Sequence, residues 1–322
     1  MNKPLLSVED LKVWYKVKSK NRLSNAFAYS KAVDGVTFQV YRGETFGVVG
    51  ESGCGKSTTG KTIVRLNRPT SGRILFDGQD LFSFSGRDLA KRVQIIFQDP
   101  YSSLDPRMTA GECIAEPLRV HGAGSKQEIH DQVVRLLNDV GLREDHYTRF
   151  PHEFSGGQRQ RIGVARAIAL KPDLVVCDEP VSALDVSTQA QILNLMQELQ
   201  AKYQLTYIFI SHNLSVVRHL CDRIAVMYLG HIVELADKEE LFAHPRHPYT
   251  RALLASIPIP DPDVESMTGA LTGDVPSPLN PPSGCCFHTR CPHATDACRK
   301  DAPALREVRD RHFVACPLGD HE

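Results

Sequence analysis

The run Gly50-Glu51-Ser52-Gly53-Cys54-Gly55-Lys56-Ser57 places three glycines, a lysine and a hydroxyl at the spacing that holds a nucleotide by its phosphates. Glycines let successive backbone N–H groups converge on phosphate oxygens, and a helix opening at that point adds a favourable dipole. Lys56 then reaches the β and γ phosphates, the Ser57 hydroxyl ligates Mg²⁺, and Thr58 continues the first helical turn beside them. A second chemical feature is the run Leu174-Val175-Val176-Cys177-Asp178-Glu179, an apolar strand ending in two carboxylates. Open α/β sheets bind ligands at the carboxyl ends of their strands. Asp178 is suited to hold Mg²⁺, directly or through water, which leaves Glu179 to polarise an attacking water as a general base.

These groups need a scaffold that brings strand ends and helix starts together. From Leu5 to about Glu240, apolar strand-like runs alternate with helix-period segments, the pattern of an α/β fold with a mostly parallel sheet flanked by helices. Thr45 to Val49 reads as a buried strand and Lys56 to Leu66 as the helix after the glycine-rich turn. Leu174 to Cys177 and Tyr207 to Ile210 read as further core strands. Between them, Ser187 is placed to cap a helix whose Ile192, Leu195, Met196 and Leu199 recur at helical spacing. Gln127 to Val140 and Gly156 to Leu170 suggest a helical insertion between early and late strands. Proline is dense from Pro245 through Pro282, which points to a linker or extended wrap, and no internal repeat is present.

The 322 residues suffice for one full-sized core and a smaller appendage. Lysine plus arginine equal aspartate plus glutamate at 38 each, so no global field attracts nucleic acid or acidic lipid. No stretch approaches the roughly 20 apolar residues of a membrane span, and Met1 to Asp10 lacks the apolar core of a signal peptide. The expectation is a chain that stays in the cytoplasm and meets membranes through protein partners. Of nine cysteines, Cys54, Cys113, Cys177 and Cys221 are scattered, while Cys285, Cys286, Cys291, Cys298 and Cys316 crowd the C-terminal end. In a reducing compartment such crowding points to metal or catalysis, and four thiolates can ligate zinc or an iron–sulfur cluster.

Phosphate loops occur in kinases, GTPases and helicases. The segment Phe154-Ser155-Gly156-Gly157-Gln158-Arg159-Gln160-Arg161, however, closely resembles the signature sequence of ATP-binding-cassette proteins. Further matches stand in that family's order: Gln98 in Phe97-Gln98-Asp99-Pro100, Ser182-Ala183-Leu184-Asp185 after Glu179, His212 after the strand Tyr207 to Ile210, and Tyr15 or Trp14 near the start. The resemblance implies that Ser155, Gly156, Gly157 and Gln158 serve the γ-phosphate of a partner subunit's nucleotide, so that two ATPase subunits sandwich two ATP molecules head to tail. It also implies that His212 contacts the γ-phosphate, that Gln98 senses Mg²⁺ and links hydrolysis to membrane subunits, that Asp185 belongs to the nucleotide-binding set, and that Tyr15 stacks on adenine, with Trp14 as the fallback. Asn213 follows His212 where many relatives carry aspartate.

Two C-terminal segments resemble the extension of oligopeptide and dipeptide importer ATPases, most like the F-type of the two ATPases: His244-Pro245-Arg246-His247-Pro248-Tyr249-Thr250-Arg251, and Val275-Pro276-Ser277-Pro278-Leu279-Asn280-Pro281-Pro282-Ser283-Gly284-Cys285. The implied organisation is a P-loop nucleotide-binding domain over 1–240, with a helical signature subdomain at about 99–165, followed by a small Cys-rich extension over 241–322. The implied function is ATP hydrolysis, with ATP and Mg²⁺, powering bacterial peptide import. Implied partners are a second, related ATPase in a heterodimer, two transmembrane permease subunits and, indirectly, a solute-binding protein outside the cell membrane, with this chain on its cytoplasmic face and no nucleic acid involved. Relatives' alternatives for the cargo are nickel, glutathione or peptide conjugates; a soluble ATPase acting on nucleic acid or ribosomes is a further alternative. In relatives with the pattern Cys285, Cys291, Cys298, Cys316, a [4Fe-4S] cluster is implied, with zinc as the alternative and Cys286 as a bystander.

Overall fold

A computed structural model describes residues 3–18, 27–257 and 273–318, so the middle of the proline-rich stretch lies outside the described residues. The chain forms two compact units, the first drawn from Met1–Val40, Thr45–Asp80 and Ile210–Glu322, the second from Tyr41–Glu44 and Leu81–Phe209. Among the described residues no helix is long and apolar enough to cross a membrane.

The first unit opens with β1 (Leu6–Lys18), β2 (Phe27–Val40), β3 (Thr45–Val49), α1 (Lys56–Ile63), β4 (Ser71–Phe76) and β5 (Gln79–Asp80). Four of these strands make an antiparallel sheet in the order β2-β1-β4-β5, an addition to the parallel sheet that the sequence pattern suggests. Its physical basis is period-two alternation: Val36, Phe38 and Val40 are buried while Thr37 and Gln39 between them face out. By contrast β3 is buried at every position, the mark of a strand covered on both faces.

The second unit contains α2 (Gly86–Arg92), β6 (Val93–Ile96), α3 (Ala110–Val120), α4 (Lys126–Asp139), α5 (Gly156–Ile168), β7 (Leu174–Asp178), α6 (Val186–Tyr203) and the start of β8 (Thr206–Ser211). Three of its helices begin with reciprocal capping boxes, at Thr109 with Glu112, Ser125 with Glu128, and Ser155 with Gln158. Each satisfies two backbone donors that a helix start leaves open. The helix expected around Ile192 to Leu199 is α6, and those residues are buried, but its cap is Asp185 and not Ser187. With the helix opening at Val186, the Asp185 carboxylate reaches Thr188 N–H at 2.9 Å, and Ser187 donates its hydroxyl to that same carboxylate at 2.6 Å.

After β8 the chain completes the first unit with α7 (Leu214–Leu220), β9 (Arg223–Tyr228), β10 (His231–Asp237), α8 (Lys238–Ala243), α9 (Pro248–Ala255), α10 (Asp296–Lys300), β11 (Arg306–Arg309) and β12 (His312–Val314). Strand β9 pairs in parallel with β3, Phe46 opposite Arg223 and Val49 opposite Val226, and the order outward from β3 is β9-β10-β12-β11. Part of the proline-rich stretch is helix, not wrap. Pro248 occupies the first turn of α9, where a missing N–H costs nothing, and His247 Nδ1 accepts from Tyr249 N–H at 3.1 Å.

One buried carboxylate ties this tail to the sheet. Glu234 on β10 accepts from the N–H groups of Arg246 (2.7 Å) and His247 (2.9 Å), and its other contact is His312 Nε2 on β12 at 2.8 Å. Both side chains are 0% exposed. Burial by itself lowers the His312 pKa, but the hydrogen bonds and charges of Glu234 and then Glu240 outweigh it and hold the imidazolium above its ordinary range. A base whose folded pKa is raised adds stability fully present below its unfolded pKa, about 6.5, and lost as pH rises through the folded value. The Tm gap between the wild-type chain and His312→Gln is therefore expected to be widest at pH 6 and to narrow by pH 9. A gap that is constant or widens over that range removes the charged pair from the account.

Candidate functional site

The phosphate-loop residues lie between β3 and α1 in the first unit, as the sequence suggests. Gly50, Gly53 and Gly55 all have positive φ. At two of them a side chain has no room: a Cβ on Gly50 would overlap the Met227 carbonyl oxygen on β9, and one on Gly55 the Ala32 carbonyl oxygen on β2. The loop is thus moulded against neighbouring backbone. Lys56 is buried and donates to the carbonyls of Gly50 at 2.7 Å and Glu51 at 3.0 Å. Gly230 N–H, at the β9–β10 turn, holds the Cys54 carbonyl at 2.9 Å. The Cys54 thiol is buried under the loop, and that burial pushes its pKa up. Ser52 and Gly53 are exposed, and Ser57 and Thr58 are half-buried at the start of α1.

Glu51 differs from its loop neighbours. Its side chain is held by Arg290, whose two guanidinium nitrogens lie 2.7 and 3.2 Å from the two carboxylate oxygens, and its N–H donates to the Tyr249 hydroxyl at 2.9 Å. The sequence marks the segment containing Tyr249 without giving it a site role, and Arg290 carries no sequence signal beyond standing next to Cys291. Also in the first unit, Tyr15 is 42% exposed on β1. Its neighbour Trp14 is engaged, donating its indole N–H to Asp34 at 3.2 Å with the Lys31 ammonium 4.8 Å from its ring. His212 is exposed just after β8, and Asn213 caps α7 by accepting from Ser215 N–H at 3.0 Å.

The second unit brings Gln98 and Glu179 together. Strands β6 and β7 pair in parallel with Ile96 opposite Cys177, so residues two positions further on leave neighbouring strand ends side by side. Gln98 Nε2 lies 3.3 Å from Glu179 Oε2. Asp178 is buried at the last position of β7. Glu179 has φ +49°, a left-handed conformation uncommon for a residue with a side chain. Its carbonyl accepts from Ser182 N–H at 3.2 Å, closing the turn that leads to Asp185.

Ser155 is the N-cap of α5: its hydroxyl accepts from Gln158 N–H at 3.4 Å, and its own N–H donates to Gln158 Oε1 at 3.0 Å. Gly156 and Gly157 follow in the first turn, and a Cβ on Gly157 would strike Thr188 at the start of α6. Asp185 is occupied as the α6 cap. Hydrogen bonds from the Ser187 hydroxyl, then from Thr188, hold its carboxyl at about 2, well below the usual range.

The cysteine tail departs from expectation. Cys285, Cys298 and Cys316 are buried and Cys291 is half-buried. Cys285 N–H donates to the Cys298 carbonyl at 2.8 Å, and burial raises the Cys285 thiol pKa, with the charges of Cys316, Cys298 and Cys291 raising it further. The four sulfurs therefore share one neighbourhood. Among the described residues, however, no group of three or more His, Cys, Asp or Glu is placed to hold a metal ion. The donor chemistry suits zinc or an iron–sulfur group; the side-chain placement does not form its coordination shell. Cys286 lies apart, its Sγ 3.8 Å from the Tyr228 carbonyl and its thiol pushed up to about 12 by burial.

The family described as ABC transporter matches residues 33–182, and that described as oligopeptide/dipeptide transporter, C-terminal region, matches residues 233–298. A putative peptide import ATP-binding protein of Brucella ovis is 53% identical, covering 97% of both chains. The oligopeptide transport ATP-binding protein AppF of Bacillus subtilis is 51% identical over 98% of this chain and 97% of its own, and OppF of Salmonella typhimurium is 52% identical over 98% and 96%. Among solved structures, the ATP-binding cassette MJ0796, a dimer bound to ADP and Pi, shares 28% identity with a TM-score of 0.63, covering 72% of this chain and 98% of that one. The chain belongs to the ABC transporter family, and within it to the ATP-binding proteins that carry the oligopeptide/dipeptide transporter C-terminal region.

The double use of Ser155, as a helix cap and as a residue of the signature segment, has a measurable stability component. Ser155→Ala is expected to cost about 0.5–2 kcal/mol of unfolding free energy without any nucleotide present. Chemical denaturation checks it, and an unchanged midpoint and slope leave Ser155 with no capping contribution.

Proposed function

We propose that this chain is the ATP-hydrolysing subunit of a bacterial importer of peptides, working with separate membrane permease subunits. The observation that carries the hydrolytic part is the strand-end pair of Asp178 and Glu179, with Gln98 3.3 Å from the Glu179 carboxylate. Full-length similarity to peptide and oligopeptide import ATP-binding proteins supports the cargo class. In this reading the backbone of residues 50–55, with Lys56, Ser57 and Thr58, holds the phosphates of ATP–Mg²⁺, and Tyr15 stacks on adenine. Asp178 and Gln98 complete the Mg²⁺ environment, Glu179 takes a proton from the attacking water, and His212 contacts the γ-phosphate. Ser155, Gly156, Gly157 and Gln158 offer a helix N-terminus to a nucleotide held by another subunit, and Asp185 orders the turn between Glu179 and α6.

The partner subunit is a second, related ATPase, so that two ATP molecules close a heterodimer and hydrolysis reopens it. Closure acts on two permease subunits at the cytoplasmic face of the cell membrane, and the permeases receive peptide from a solute-binding protein on the other side. Glu179→Gln keeps the shape of the side chain and removes its basicity. It is expected to bind ATP as the wild type does while turnover falls by about 100-fold or more; undiminished phosphate release discards Glu179 as the base. An affinity capture of the tagged chain from detergent-solubilised membranes is expected to bring down two permeases and a second cassette ATPase. Recovery with ribosomes or DNA instead rejects the importer.

We propose that a structural [4Fe-4S] cluster, with Zn²⁺ as the alternative occupant, would draw the thiols of Cys285, Cys291, Cys298 and Cys316 from their shared neighbourhood into a coordination shell. When bound, the group would crosslink Cys298 on α10 to the loop before it, which carries Cys285 and Cys291, and to Cys316 just after β12. Chain purified without oxygen is expected to carry about four irons and four sulfides, or about one zinc, per molecule. Cys298→Ser is expected to lose that metal and lower Tm; wild-type chain that carries no metal, or Cys298→Ser that keeps it, rejects the ligand set.

A further inference from the structure

The peptide unit joining Gly50 to Glu51 is held at both ends. Its carbonyl accepts from the Lys56 ammonium at 2.7 Å, and its N–H donates to the Tyr249 hydroxyl at 2.9 Å. A peptide plane fixed in this way has one orientation, and the backbone donors that follow it inherit that orientation. Tyr249 is itself fully buried, its ring 4.7 Å from Tyr228 and 5.4 Å from Phe287, so its hydroxyl is a rigid acceptor. The Glu51 side chain poses a separate difficulty, because a carboxylate in a phosphate-binding loop repels the anion the loop must hold. Arg290 removes it. Its side chain is 4% exposed, it grips both Glu51 oxygens, and it lies 5.9 Å from the Tyr228 ring.

We infer that Tyr249 and Arg290, both from the C-terminal region, are positioning residues for the nucleotide: Tyr249 sets the Gly50–Glu51 peptide, and Arg290 neutralises Glu51 and holds it away from the phosphates. The inference rests on residues 50–57 being the nucleotide loop, and it gives the C-terminal extension a role in ATP affinity as well as in packing. All four residues involved, Glu51, Lys56, Tyr249 and Arg290, belong to the first unit. Arg290 stands beside Cys291, so the turn that bears the cysteines also delivers the guanidinium.

The test uses the full-length chain, with Kd read by titration with a fluorescent N-methylanthraniloyl ATP and KM and kcat read separately. Tyr249→Phe keeps the ring and deletes one acceptor; its Kd and KM are expected to rise about fivefold with kcat within about twofold. Arg290→Gln leaves a carboxylate without its partner and is expected to weaken binding roughly tenfold or more. Pairing it with Glu51→Gln removes both charges, and the double variant is expected to recover most of the lost affinity, which a merely structural arginine would not allow. Unchanged Kd in Tyr249→Phe, or additive losses in the double variant, overturns the inference; if Arg290→Gln fails to fold, Tyr249→Phe alone decides. Lys56→Ala separates the two levels of the argument. Loss of affinity there with no effect of Tyr249→Phe or Arg290→Gln defeats only the positioning role, whereas retained affinity in Lys56→Ala defeats the loop reading and this inference with it.

Discussion

The close approach of backbone to backbone around residues 50–55 is the constraint on which the rest of the first unit depends. Only glycine fits where the Met227 and Ala32 carbonyls press on Gly50 and Gly55, so β3, β9 and β2 must all be in register for the loop to exist. Burial of β3 on both faces supplies that register, since every residue from Thr45 to Val49 has a fixed neighbour. With the loop pinned, its carbonyls face inward to Lys56 and its remaining donors are available at the start of α1.

In the second unit the groups to which the proposed function assigns chemistry also have structural partners. Parallel pairing of β6 with β7 places Gln98 beside Glu179 before any ligand is considered. Capping boxes at Thr109, Ser125 and Ser155 start three helices, and the Asp185 carboxylate starts a fourth. The left-handed backbone at Glu179, shared in this unit with Lys171 and Gln204, falls at the residue to which the proposed function assigns the base. Strain of this kind persists because the Ser182 turn and the buried strand before it leave the backbone no alternative.

The C-terminal region is more than an appendage to this arrangement. Glu234 on β10 gathers Arg246, His247 and His312, which seats α9 against the sheet and delivers Tyr249 to the loop. Phe287 packs edge-on to Tyr228 at 5.2 Å and brings the cysteine-bearing turn into the same aromatic cluster. The C-terminal region, part of which reads in the sequence as a proline-rich connection, therefore contributes a buried network and two contacts to Glu51.

The sequence by itself determined what is local and periodic. The glycine–lysine–serine spacing, the strand ending in Asp178 and Glu179, the signature segment and the helix through Ile192 and Leu199 were all legible, because each is set by residues within a turn or two of one another. Where local signals competed, reading failed: Ser187 and Asp185 are both good caps, and only the true start of α6 selects Asp185. Pro248 looks like a breaker until His247 is seen to cap the turn it begins. The antiparallel sheet, the absence of a converged thiol cage among the described cysteines, and the grip of Arg290 on Glu51 across 239 positions belong to the tertiary structure alone. Such long-range pairings depend on which surfaces become buried together, and spacing along a chain carries no record of that.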